Sequence, residues 1–167
     1  MSSELRVDKI TPIDGIGTDT STVKNGGGII QMKQLQLTNA NVGGFFLTTT
    51  SSSFTQTNSS FSLQITPKFT TSKIYISVIT FGYLTTTDYA YATVYRDSTN
   101  LGGSDRGMSE ESNKSHHWST LSMNFLDSPA TTSAITYKIY GRCTGGTLYL
   151  GGDNDVVNTI TLMEVSA

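Results

Sequence analysis

The feature that most narrows the folding options is period-two alternation that stops at a turn and then resumes. One alternating run closes at Phe125 and another opens at Ile135, continuing through Tyr137 and Ile139, with the polar turn Asp127-Ser128-Pro129 between them. Period two places successive side chains on opposite faces of a strand, and Asp, Ser and Pro are residues that turn a chain. Two strands joined at such a corner predict a β-sandwich, in which each strand gives one face to a core. Nothing in the corner is catalytic by its own chemistry.

The same pattern recurs along the chain. Phe61, Leu63 and Ile65 alternate with Ser62, Gln64 and Thr66 until Pro67 stops the strand. Ile29 to Leu37 reads as a first strand whose apolar phase changes midway, as across a bulge or between two environments. A strand from about His117 carries Leu121, Met123 and Phe125 on its core face, Thr147 to Leu150 is a short strand, and Thr159 to Val165 closes the chain. Asn39 to Gly44 reads as a turn, and Asp97 to Ser115 as the longest irregular loop. Composition agrees: 27 threonines and 21 serines, with only 14% charged residues, suit strands whose wet faces carry β-branched hydroxyls. The expectation is an all-β chain, a jelly-roll-like two-sheet sandwich of about eight to ten strands over residues 29–167.

Two strands are apolar on both sides. Lys73 to Tyr83 carries Ile74, Ile76 and Val78 on one face and Tyr75, Ile79, Phe81 and Tyr83 on the other. Tyr89 to Arg96 sets Tyr89, Tyr91 and Tyr95 opposite Ala90, Ala92 and Val94. A second apolar face needs a second cover. Tyr75, Ile79, Phe81, Tyr83, Tyr89, Tyr91 and Tyr95 are therefore expected at a subunit interface of a homo-oligomer.

Residues 1–28 are written differently. Leu5, Val7 and Ile10 hint at a docking segment, Pro12 and Ile13 lie in the turn Thr11-Pro12-Ile13-Asp14-Gly15, and Gly17 to Gly28 has hardly an apolar side chain. Alone, such a segment buries too little surface to offset its ordering entropy. It reads as an extended N-terminal arm that docks on another protein, with Gly26-Gly27-Gly28 as its hinge.

A formal net charge of −2 gives no electrostatic footprint for nucleic acid. The single Cys143 excludes an internal disulfide. No window approaches the apolar length of a membrane span, and Met1 to Lys9 lacks the apolar core of a secretory signal, so no membrane insertion and synthesis in a cytoplasm are expected.

The chemistry-bearing side chains are sparse. His116 and His117, adjacent on a strand, point to opposite faces and cannot share a metal without a bulge. Glu110-Glu111 has no partner base, and Asp153-Asn154-Asp155 lacks the remaining ligands of a calcium loop, so neither a cofactor nor a metal is expected. An aromatic, Asn-rich surface can also stack on sugar rings. On that alternative, His117, Trp118, Asp153 and Asp155 are the candidate contacts to a host surface glycan, beside the 97–115 loop.

Three blocks resemble a family of small structural proteins of tailed phages, especially those of marine bacteria and cyanobacteria. The first is Leu5-Arg6-Val7-Asp8-Lys9-Ile10-Thr11-Pro12-Ile13-Asp14-Gly15, followed by Gly26-Gly27-Gly28-Ile29-Ile30-Gln31. The second is Ile65-Thr66-Pro67 through Thr71-Ser72-Lys73-Ile74. The third is Phe125-Leu126-Asp127-Ser128-Pro129-Ala130-Thr131-Thr132-Ser133 with the closing Ile160-Thr161-Leu162-Met163-Glu164-Val165. The resemblance implies a non-enzymatic virion component: a tail-fibre, head-fibre or capsid-decorating protein whose arm binds a capsid or tail protein and whose sandwich assembles, usually as a trimer. Here the arm reaches the sandwich with no shaft between them. That favours a compact particle-surface protein over a long receptor-binding adhesin.

Overall fold

The computed structural model describes residues 28–112, 116–152 and 155–166. Most of the arm, including Leu5, Val7, Ile10, Pro12 and Ile13, lies outside the described residues, as does Asp153. Twelve strands are present among them: β1 (Ile29–Leu37), β2 (Leu47–Thr49), β3 (Thr55–Gln56), β4 (Ser62–Ile65), β5 (Lys73–Leu84), β6 (Tyr89–Arg96), β7 (Thr99–Asn100), β8 (Ser109–Ser112), β9 (His117–Asp127), β10 (Ile135–Cys143), β11 (Leu148–Leu150) and β12 (Asn158–Val165). One turn of helix, α1 (Asn39–Val42), interrupts them.

All pairings are antiparallel and form two six-stranded sheets. The eight strands of four residues or more run β1-β12-β5-β9 in sheet A and β4-β10-β6-β8 in sheet B. This is the strand order of a jelly roll. The short strands add to this frame: β11 continues alongside β5 and carries β2, while β3 and β7 extend sheet B. Four of the twelve strands are only two or three residues long, too short to show alternation, which is why the sequence suggests fewer.

The core lies between the sheets, and period two delivers it. Along β5, Ile74, Ile76, Val78, Thr80, Gly82 and Leu84 are buried while the residues that alternate with them are not. Facing them from sheet B are Ala90, Ala92 and Val94 of β6 and Ile139 of β10. Small residues on β6 let the sheets close over the bulky β-branched side chains of β5. Each large apolar side chain buried this way contributes about 1.5–3 kcal/mol. At one margin Phe46 stacks on Phe61 with ring centroids 4.7 Å apart.

One local expectation holds and two change. The first strand has a bulge between Ile29 and Gln31, and beyond it Met32 faces outward while Leu35 and Leu37 pack on the core. That is the origin of its phase change. The Asn39 to Gly44 turn closes as the single turn of α1, ended by Gly43 in the left-handed region at φ 73°. The expected 97–115 loop is instead partly strand, because β7 and β8 both pair with β6 and a Gly103–Gly107 bridge joins the intervening chain. A Cβ at Gly107 would lie 2.5 Å from the Ala92 carbonyl oxygen, so only glycine lets this segment lie on β6.

The corner also differs from its reading as a surface turn. β9 continues through Asp127, whose side chain is 5% exposed on the core side. Its carboxylate accepts a hydrogen bond from the Tyr137 hydroxyl at 2.7 Å and two from the Arg96 guanidinium at 2.7 and 2.9 Å. Asp127 belongs to sheet A, whereas Tyr137 and Arg96 belong to sheet B, so the triad ties the sheets together. Burial and the adjacent carboxylate push the Tyr137 phenol far above its ordinary pKa, which keeps it a donor.

A second buried carboxylate lies in the same row of sheet A. Ile74 pairs with Asp127 on one side and with Glu164 on the other. Glu164 is fully buried and accepts hydrogen bonds from Gln31 Nε2 at 2.5 Å and from the Lys68 backbone N–H at 2.7 Å. Burial by itself would raise the Glu164 carboxyl, but hydrogen bonds from Gln31 and from the Lys68 and Phe69 backbone outweigh it and hold the pKa below its ordinary 4.5.

Two predictions follow from these carboxylates. Tyr137→Phe should destabilise the fold by about 1–3 kcal/mol in denaturant titration, and Asp127→Ala by more, since it leaves a buried hydroxyl unpaired. For Glu164 the folded pKa is depressed, so its stabilisation is present above the unfolded pKa and is lost as pH falls through the folded one. Thermal unfolding should therefore show a larger loss of stability on acidification below about pH 4.5 in the wild type than in Glu164→Gln.

Candidate functional site

The outward face of sheet A is the chain's most unusual surface. From β5 it presents Tyr75, Ser77, Ile79, Phe81 and Tyr83, and the register places Leu126, Asn124, Ser122, Thr120 and Trp118 of β9 opposite them. On the other side stand Met163, Thr161 and Thr159 of β12, and then Met32, Gln34 and Gln36 of β1. Lys73, at one end of β5, is the one charged residue among these outward positions of the four strands. Ile79, Leu126 and Met32 are 41%, 48% and 60% exposed. The Tyr75 hydroxyl lies 3.1 Å from Asn124 Oδ1, its hydrogen-bond acceptor.

At the end of this face remote from Asp127, four rings form a closed circuit. Tyr83 and Trp118 stand as direct cross-strand partners with centroids 5.0 Å apart. Tyr149, on β11, is the partner of Tyr83 on its other side at 5.9 Å. Phe45, in the segment leading to β2, completes the circuit at 4.9 Å from Tyr149 and 6.0 Å from Trp118. Together with Thr85 these residues line an open basin of 390 Å³. His116, held at φ 56°, meets Tyr83 edge-on at 6.0 Å.

Sheet B covers part of its own outer face. Tyr91 is only 5% exposed because the Arg142 guanidinium lies 4.6 Å from its ring centroid. That guanidinium donates to the Asp105 backbone carbonyl and carboxylate and, at 3.0 Å, to the Ser52 carbonyl. One arginine thus clasps the chain before β3 and the segment between β7 and β8 against the sheet. Tyr89 stacks beside Tyr91 at 6.3 Å, and Tyr95 stacks on Tyr140 at 3.9 Å. Burial, and then the neighbouring Tyr95, raise the Tyr140 phenol above its ordinary pKa.

The seven tyrosine-rich interface candidates therefore do not form one patch. Tyr75, Ile79, Phe81 and Tyr83 share the outer face of sheet A, whereas Tyr89, Tyr91 and Tyr95 stand on sheet B, with Tyr91 already covered within its own chain. The glycan candidates also separate. Trp118 enters the basin, while His117 points from the opposite side of β9, with Nδ1 3.2 Å from Ser119 Oγ and 4.0 Å from Glu111 Oε1. Asp155 is exposed in the loop before β12 and is not among the basin residues. Phe45, Tyr149 and Thr85 were not legible as site residues, because only the strand order brings them beside Tyr83.

Cys143 is buried on β10, with Sγ 3.6 Å from the Thr49 carbonyl oxygen, and burial raises its thiol pKa. Among the described residues no three of His, Cys, Asp and Glu are grouped to hold a metal ion. Comparison of the sequence with protein-family models and with curated proteins returns no match.

The clasp makes a specific prediction. Arg142→Met should destabilise the protein by about 1.5–3 kcal/mol, the range for hydrogen bonds to a charged group, and limited proteolysis should then cut between residues 101 and 107 where the wild type resists.

Proposed function

We propose that the protein is a non-enzymatic structural component of a tailed-phage virion, a jelly-roll head that assembles as a trimer and is held to a capsid or tail protein by residues 1–28. The observation that carries this reading is the outer face of sheet A: broad, almost uncharged, and set with Tyr, Trp, Phe and Met. Interface cores are depleted of charge and enriched in these residue types. A face without charge also meets a copy of itself with no like-charge repulsion, which suits assembly from one kind of subunit. The arm's composition adds the second half of the reading, since a segment that cannot fold alone is suited to ordering on a larger surface.

On this reading the two halves of the role fall to different parts of the chain. Ile79 and Leu126, both exposed, form the middle and lower part of the face, away from the four-ring basin. Full-length protein should have a solution mass near three times 18.0 kDa by light scattering. Ile79→Lys with Leu126→Lys should reduce it to the monomer without unfolding the sandwich. Removing residues 1–28 should leave a folded head that no longer joins particles. A wild-type monomer, or particles that still take up the truncated head, would contradict the reading.

A further inference from the structure

The four-ring basin lies at the end of the sheet A face remote from Asp127, beyond the Ile79 and Leu126 positions proposed for assembly. It is an open depression whose rings hold their positions through contacts with one another. Each of Phe45, Tyr83, Trp118 and Tyr149 touches two of the other three, with interplanar angles from 30° to 57°. Three of the four come from strands of sheet A or their immediate extension, which fixes their backbone, and Phe45 is anchored next to buried Phe46. At 390 Å³ the basin falls in the size range of small-ligand sites, about 300–1,000 Å³.

Its chemistry narrows the occupant. Among the described residues the lining is four aromatics and one threonine, with no carboxylate and no cation. An anionic ligand would lose its hydration there and meet the negative faces of the rings without gaining a counter-charge. An aromatic floor does suit a ring whose own face is made of C–H groups, because those hydrogens are slightly positive and the ring faces negative. The same lining also offers hydrogen-bonding edges. Among the described residues, the Tyr83 and Tyr149 hydroxyls and the Trp118 indole N–H have no protein partner, leaving two groups that can donate or accept and one that donates. A ligand with an apolar face and a hydroxylated rim matches both parts.

We infer that this basin binds a neutral pyranose ring, its C–H face on the Tyr83–Trp118–Tyr149–Phe45 floor and its hydroxyls on the tyrosine and indole edges. The inference does not depend on the assembly reading, since a monomer would carry the same basin. It moves the carbohydrate contact away from His117 and Asp155 and onto residues of the sheet itself. Binding of one ring to an open basin is weak, so affinity in the millimolar range is expected for a single sugar, with avidity rising in an oligomer that presents several basins together.

Trp118 is the chain's single tryptophan, so its fluorescence reports from the basin alone. Full-length protein is titrated with the methyl glycosides of glucose, galactose, mannose and N-acetylglucosamine, and separately with tetramethylammonium. The expected result is a saturable change with at least one glycoside and none with the cation. Tyr149→Leu and Phe45→Leu, each checked for an unchanged thermal transition, should weaken that binding about tenfold by removing a π-face at nearly constant hydrophobicity. Tyr95→Leu, which disrupts the stacked pair on the opposite sheet, should leave it unchanged. A response to tetramethylammonium alone would overturn the inference in favour of a cation cage. No response to any glycoside, or equal weakening by Tyr95→Leu, would overturn it outright.

Discussion

The carboxylate of Asp127 is the point at which the two sheets become one structure. Apolar packing between sheets is non-directional, and a sandwich held by it alone has many nearly equivalent slips and rotations. Asp127 removes that freedom at one end, because its oxygens are shared between the Tyr137 hydroxyl and the Arg96 guanidinium of the facing sheet. A buried carboxylate is tolerated only where such partners are in place, so a misregistered pairing would strand it. Glu164, across Ile74 in the same row, applies the same condition to the β1–β12 margin through Gln31 and to the turn before β5 through Lys68. Both are costly to misplace, and together they specify register where the apolar pattern is most permissive.

With that end fixed, the opposite end of sheet A is where the surface becomes unusual. The long strands β5 and β9 run from the buried carboxylate row at one end to the Tyr83–Trp118 pair at the other. Ten successive paired positions join the Ile74–Asp127 pair to the Tyr83–Trp118 pair of the basin. A site built on paired strands keeps its geometry better than one built on loops. The two faces of the molecule are also managed differently. Sheet B covers Tyr91 with Arg142 of its own chain and leaves Tyr89 exposed, while sheet A leaves Ile79, Leu126 and Met32 uncovered. The uncovered apolar stretch of sheet A is the ground on which the proposal of assembly through that sheet rests.

The alternation of Phe61, Leu63 and Ile65, and of Leu121, Met123 and Phe125, made the core side of β4 and β9 legible, since period two is a local property and survives any tertiary arrangement. The all-β class and the two-sheet sandwich were legible for the same reason, helped by the abundance of threonine. What alternation cannot encode is which strand lies beside which. Tyr89, Tyr91 and Tyr95 looked equivalent to Tyr75 and Tyr83 because both sets oppose small or β-branched core residues. Their separation onto opposite faces of the molecule, and the burial of Tyr91 beneath Arg142, depend on strand order. The segment 97–115 read as a loop because β7 and β8 are short and polar, and their pairing to β6 comes from a glycine-permitted approach with no hydrophobic signal.

By itself the sequence determined the fold class, the core faces of the longer strands and the distinct character of residues 1–28, all of which follow from local periodicity and composition. Only the tertiary structure decided the jelly-roll order, the inter-sheet role of Asp127 and the assembly of Phe45, Tyr83, Trp118 and Tyr149 into one basin. The reason is physical: those four rings are contributed by segments up to about a hundred residues apart, and nothing but cross-strand pairing at about 5 Å spacing brings them together.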